Sequence, residues 1–165
     1  MKPLLVSYAR YEYWANEKLL QVVLSLSEEQ QHREIPSSFP SVYKTCLHTW
    51  DASSIWWQRI QGHTQVVIPS LSFHPSMHDV ANGLLEQNRH WINWIEEQPE
   101  LSLEKILAYK NLKGESFAQP VKDILLHLSA HGGYHRGQLV TLLRQLGVEK
   151  IPPTDYIVYA RMMGL

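Results

Sequence analysis

His127-Leu128-Ser129-Ala130-His131-Gly132-Gly133-Tyr134-His135-Arg136-Gly137-Gln138-Leu139 occupies the middle of a stretch whose apolar residues recur at helical steps. Val121, Ile124, Leu125 and Leu128 lead into it and Leu139, Leu142 and Leu146 lead out. The steps of three and four run unbroken only if His131 and His135 are counted on the stripe. Residues four apart on a helix lie one turn above one another, so the two imidazoles share a face at metal-ligand spacing. Both are expected at core positions, where each ring nitrogen needs a partner. A solvated His-rich face, extended by His127, is the other reading of the spacing; the place on the apolar stripe favours an ion.

Working outward from that helix, Leu146-Gly147 ends it, Pro152-Pro153 breaks the chain, and Tyr156 to Met163 can form a short closing helix. There Tyr156, Tyr159 and Met162 or Met163 are expected to cover one end of the molecule. Upstream, between Leu103 and Pro120, the period changes. Ile106, Ala108 and Tyr109, then Asn111-Leu112-Lys113-Gly114, then Ser116 and Phe117 suggest a small hairpin or an extended crossing. Ser76 opens an earlier helix carrying Val80, Ala81, Leu84, Trp91 and Ile95 inward and ending at Pro99. The segment from His63 to Pro75 reads as a loop with His63 and His74 solvated. Ser41 caps a helix running to Gln61 with Gly62 as its stop. The first helix places Leu4, Tyr8, Tyr11, Ala15, Leu19, Val22 and Leu26 on one line, and Ser27 opens a short extra turn before Pro36 and Pro40. Four long amphipathic helices with one long crossover predict an all-α four-helix bundle, whose core is where such folds place metal sites.

His48 falls on the stripe of Thr45, Ala52 and Ile55 and so points inward. Cys46, turned about 200° from His48, cannot easily join it at one ion, and packing is its expected role, with a catalytic thiol the lesser alternative. Asp51, one turn beyond His48, could accept a hydrogen bond from a ligating imidazole or be a surface carboxylate. His127 is carried roughly 80° from His135 across eight residues. That assigns it to a pocket wall, where it could hydrogen-bond a water or move a proton, or to packing against the first helix. Glycines within a helix each cost about 0.8–1.0 kcal/mol relative to Ala, so Gly132-Gly133 asks for a close approach or for room beside a metal. Gly137 is expected where this helix packs closely on a neighbour.

A chain of 165 residues suits one domain spanning 1–165. With 15 basic and 16 acidic residues and no basic patch, nucleic acid is not an expected partner. Lys2 and the patch Leu4-Leu5-Val6, soon interrupted by Tyr8, Arg10 and Glu12, are neither a signal segment nor a membrane span. The single cysteine excludes an internal disulfide and fits a reducing, cytoplasmic setting. Nine histidines without a basic excess suit metal or proton chemistry, and six tryptophans with eight tyrosines exceed what four helical stripes need, which suggests a homodimer.

The inward His48 early in the second long helix, together with His131, His135 and the string His135-Arg136-Gly137-Gln138, resembles the DinB-like superfamily of metal-binding bundle proteins. The resemblance covers nearly the whole chain, including the variable crossover and the Pro-rich tail; the glycines between the ligands depart from relatives that often carry larger residues there. It implies His48, His131 and His135 as ligands of a divalent transition metal, zinc or nickel foremost, and association with damage or stress. Its better understood members are thiol-dependent transferases using bacillithiol, mycothiol or glutathione. Three neutral imidazoles leave an open coordination position. The expected function is therefore a metal-dependent thiol S-transferase acting on small electrophilic molecules, with a low-molecular-weight thiol as co-substrate. A hydrolase using metal-bound hydroxide, with Asp51 or His127 as the only base in view, and a non-enzymatic metal-binding stress protein are the alternatives.

Overall fold

The structure, a computed structural model, describes residues 1–72 and 74–165. Four long helices carry it: α1 (Lys2–Leu24), α3 (Val42–Ile60), α5 (Met77–Glu97) and α6 (Val121–Gln145). Between them lie the short helices α2 (Glu28–His32) and α4 (Pro69–Ser72), a 3-10 turn over Glu100–Glu104, and an antiparallel hairpin of β1 (Ile106–Lys110) and β2 (Ser116–Pro120); α7 (Tyr156–Met163) closes the chain. α1 packs on α5 and α6, and α3 packs on the same two, so the consecutive pairs α1–α3 and α5–α6 sit across the bundle from each other. The fold is an all-α bundle with the hairpin as its one β element among the described residues. No helix among them is long and apolar enough to cross a membrane.

Local chemistry sets the helix starts. The Ser27 side chain accepts from the Gln30 N–H while Gln30 reaches back to the Ser27 N–H, Ser41 accepts from Lys44, and Ser76 and Asp79 cap reciprocally. Each cap satisfies backbone donors that a helix start leaves without a partner. Gly62 stops α3 at φ 83°, a left-handed conformation that an L side chain resists. The hairpin turn is held by the Asn111 side chain, whose Oδ1 accepts from the N–H groups of Lys113 and Glu115. The loop expected from His63 to Pro75 contains the extra turn α4, and His63 and His74 are exposed.

The core comes in two apolar clusters separated by a polar waist. One cluster gathers Leu19, Val23, Val42, Cys46, Val80, Leu84, Leu139 and Leu143; the other gathers Leu5, Ala9, Trp91, Ile95, Leu103, Val121 and Leu125. On three of the four long helices the residues between them are polar: Glu12 and Asn16 on α1, Asn88 on α5, Arg136 on α6. Arg136 donates from Nη2 to Glu12 Oε1 at 2.7 Å and from Nη1 to Glu12 Oε2, and it also reaches Asn16 Oδ1 at 3.3 Å. Asn16 in turn donates to Asn88 Oδ1 at 2.9 Å, so the network joins three helices. Burial pushes the Glu12 carboxyl up, and the guanidinium opposes that shift.

This waist corrects the phase of two predicted stripes. On α1 the buried residues are Leu5, Ala9, Glu12, Ala15, Asn16, Leu19, Leu20 and Val23, so the expected Ala15 and Leu19 hold while the first half of the stripe lies one position off the expected Leu4, Tyr8 and Tyr11. Those tyrosines serve α7 instead: Tyr8 stacks on Tyr156 at 4.7 Å and the Tyr11 hydroxyl donates to the Thr154 carbonyl. Met162 and Met163 stay exposed, so α7 covers the bundle with Tyr156, Tyr159 and the buried Ala160 instead. On α6 the most central waist positions are Gly132 and Arg136; His135 is buried and His131 only partly. Gly132 has its close approach, because a Cβ there would collide with the Glu12 carboxylate, whereas one on Gly137 would meet nothing within 4 Å. The aromatic surplus has a use within one chain, in the α1–α7 cluster and in the edge-to-face contacts of Trp57, Trp91 and Trp94.

Candidate metal centre

At the level of the waist, on its α3–α6 side, His48 meets His131 and His135. α3 and α6 are packed neighbours, and the i, i+4 step of α6 stacks its two imidazoles under the one from α3. His131 Nε2 lies 3.3 Å from His48 Nε2 and 3.1 Å from His135 Nε2. One nitrogen from each ring falls within 4.8 Å of the others, a grouping that could hold a metal ion. Ligands at about 2.0–2.1 Å in tetrahedral array have nitrogens roughly 3.3 Å apart, so both contacts fit one shared ion.

Proton arithmetic points the same way. His135 Nδ1 sits 2.8 Å from Gln138 Oε1, an acceptor, so Nδ1 carries the proton and Nε2 presents a lone pair to the centre. His131 Nε2 then faces two ring nitrogens and, with at most one hydrogen of its own, can donate to only one of them. A cation among three lone pairs resolves this where hydrogen bonds do not. Burial, with His135 nearby, pulls the His48 pKa down to about 4; burial, with His135, His48 and His127 nearby, does the same for His131. Burial also lowers His135, against the Gln138 hydrogen bond. All three are thus neutral near pH 7, the form that binds metal.

Phe39 roofs the cluster. Its ring stacks on His48 at 3.8 Å and meets His135 edge-on at 5.5 Å, shielding the imidazoles from water. Gln138 stands in the His135-Arg136-Gly137-Gln138 string, but its role as partner of His135 is not evident from sequence, and neither is the place of Phe39. Gln138 had a signal in its i+3 spacing from His135, the reach of a helical side chain; Phe39 sits in a loop where no periodicity reports direction.

Asp51 is engaged away from the cluster, where its Oδ1 accepts the Ser70 N–H at 3.0 Å and ties α4 to α3. His127 stands outside the three-nitrogen grouping, its ring 5.6 Å from His131 and 5.7 Å from Trp56, on the wall of an open groove of about 420 Å³ that reaches His131. His127→Ala should lower metal affinity by at most the roughly 10–100-fold typical of groups outside the ligand set. Competitive chelator titration checks this, and loss equal to that of His131→Ala would make His127 a ligand. Cys46 is fully buried in the apolar core, where burial pushes its thiol up to about 12, far from the reactive range.

The DinB family model matches residues 1–163. Protein DinB of Bacillus subtilis (strain 168) is 27% identical over 165 residues, covering 94% of each chain. The crystal structure of a DinB-like protein from Bacillus cereus ATCC 10987 superposes with a TM-score of 0.67 at 19% identity, over 88% of this chain and 94% of that one.

Proposed function

The chain belongs to the DinB family, and from that premise we propose that it is a metal-dependent transferase joining a low-molecular-weight thiol to small electrophilic molecules, a chemistry suited to stress and detoxification. The observation that carries the reading is the convergence of the Nε2 atoms of His48, His131 and His135, neutral and with an open groove reaching His131. A bound divalent ion supplies Lewis acidity there, lowering the pKa of a thiol that reaches it.

The chain's own residues supply the rest. Gln138 holds His135 in the tautomer that turns Nε2 inward. Phe39 excludes water from one face. His127, on the groove wall, can receive the proton that the thiol releases. In the transfer the sulfur lone pair forms the new S–C bond while the electrophile's leaving group departs with its bonding electrons, or its π bond accepts them. The resemblance of the histidine string to thiol transferases favours this over water as nucleophile. Loading the protein with cobalt and titrating glutathione and cysteine tests it: at least one thiol should shift the visible absorption of the ion. Unchanged spectra with both at millimolar thiol would sink the thiol reading.

A further inference from the structure

The groove that reaches His131 has a second end. There Arg59, in the last turn of α3, leans back over Trp56 at 4.8 Å and against Tyr109 of β1 at 5.1 Å. Arg10, Arg33 and Arg136 pair with carboxylates, but Arg59 has neither an ion pair nor a hydrogen bond among the described residues. A ring face attracts a guanidinium without accepting its N–H groups as a carboxylate would, so those donors stay available, a fork matching a carboxylate or phosphate. Lys113, on the turn of the hairpin, lines the same groove, and no carboxylate does. Glu115, on that turn, is engaged by the Asn111 side chain. Between Arg59 and the histidines the wall is apolar, with Ile55, Trp56 and Leu112.

We propose that this groove is a binding site for elongated anionic molecules, in which Arg59, assisted by Lys113, receives a carboxylate or phosphate group while the other end lies at the histidines. The eleven residues from His48 to Arg59 rise about 16 Å along α3, and the backward lean of the arginine leaves a gap on the order of 10 Å between guanidinium and imidazoles. The substrate class is thereby narrowed to molecules with an apolar or neutral span of that length. Seating the reacting atom at the histidines rests on the transferase reading; the anion site does not.

Titrating the cobalt-loaded protein with mercaptooctanoate and with mercaptooctanol, identical but for the charged end, tests the proposal. The acid should bind roughly 10–100-fold more tightly than the alcohol, the range of a charge-assisted hydrogen bond, and its addition should move the Arg59 Nε–H resonance. Mercaptopropionate, too short to span the groove, should gain little over mercaptoethanol. Arg59→Gln should abolish the preference, and Arg59→Lys, which keeps charge but loses the planar fork, should retain only part of it. An acid preference that survives in Arg59→Gln overturns the proposal, as does an equal preference for the short pair. If no thiol alters the cobalt spectrum while octanoate or octyl phosphate still moves the Arg59 resonance in wild type, the transferase reading fails and the anion site stands; which of the two moves it more identifies the preferred anion.

Discussion

Replacing His131 with Ala should strip the protein of its divalent ion, the largest functional effect expected of any single change. Its Nε2 is the nitrogen lying within 3.3 Å of both other rings, so its loss leaves two ligands across a gap. The decrease in affinity should exceed the roughly 10–100-fold expected for removing an outer partner such as Gln138. His48→Ala and His135→Ala should also lose metal, while the helical spectrum of all three largely survives, since neither apolar cluster includes these residues. Metal content after dialysis against a chelator is the measurement; full occupancy in all three variants would place the ion elsewhere. Acid should act in the same direction. Protons compete for the nitrogens, and the metal-free fold loses stability too. His48 and His131 have folded values near 4 against 6.5 when unfolded, so the unfolded chain binds more protons in that window. Their contribution is complete above about pH 6.5 and disappears as the pH falls towards 4.

Arg136→Met should produce the largest loss of stability. The guanidinium and the Glu12 carboxylate are both almost wholly buried, with side-chain exposures of 6% and 11%. Removing one partner strands the other charge in the waist, a change that costs about 3–5 kcal/mol in buried pairs. For a chain of this size that corresponds to a fall in Tm of roughly 10 °C. Replacing both partners by apolar residues, as in Glu12→Leu with Arg136→Met, should recover much of the loss, because the stranded charge is gone. Thermal denaturation of the single and double variants decides it: a double variant no better than Arg136→Met would show that the pair stabilises by more than avoiding an orphaned charge. The pair also bears on the metal centre. Arg136 follows His135 and Gly132 follows His131, so the bridge to Glu12 sets the rotation of α6 that aims both imidazoles at α3. Gly132→Ala, which pushes on the Glu12 carboxylate, should weaken metal binding without touching a ligand.

Much of this was legible before any coordinates. The steps of three and four along Val121 to Leu146, the serines at 27, 41 and 76, and the break in period before Pro120 are effects within one or two turns of chain, and sequence displays such effects directly. His131 and His135 share a face because a helix repeats every 3.6 residues, whatever surrounds it. The sequence by itself therefore determined the long helices, their caps, the inward tilt of the histidine pair and the family resemblance. The tertiary structure alone decided the rest. Glu12 read as a charge interrupting an apolar patch, and only its partner 124 residues away makes it a buried residue. Tyr8 and Tyr11 continue an apolar stripe, yet α7 rather than the core receives them. Phe39 over His48, and Arg59 laid on Trp56 and Tyr109, join a helix to a loop or strand that no period relates to it. Helical period locates a face only to within about one residue, roughly 100°, and a polar residue on that face is solvated or buried according to whether another element brings it an opposite charge, which is settled when the helices meet.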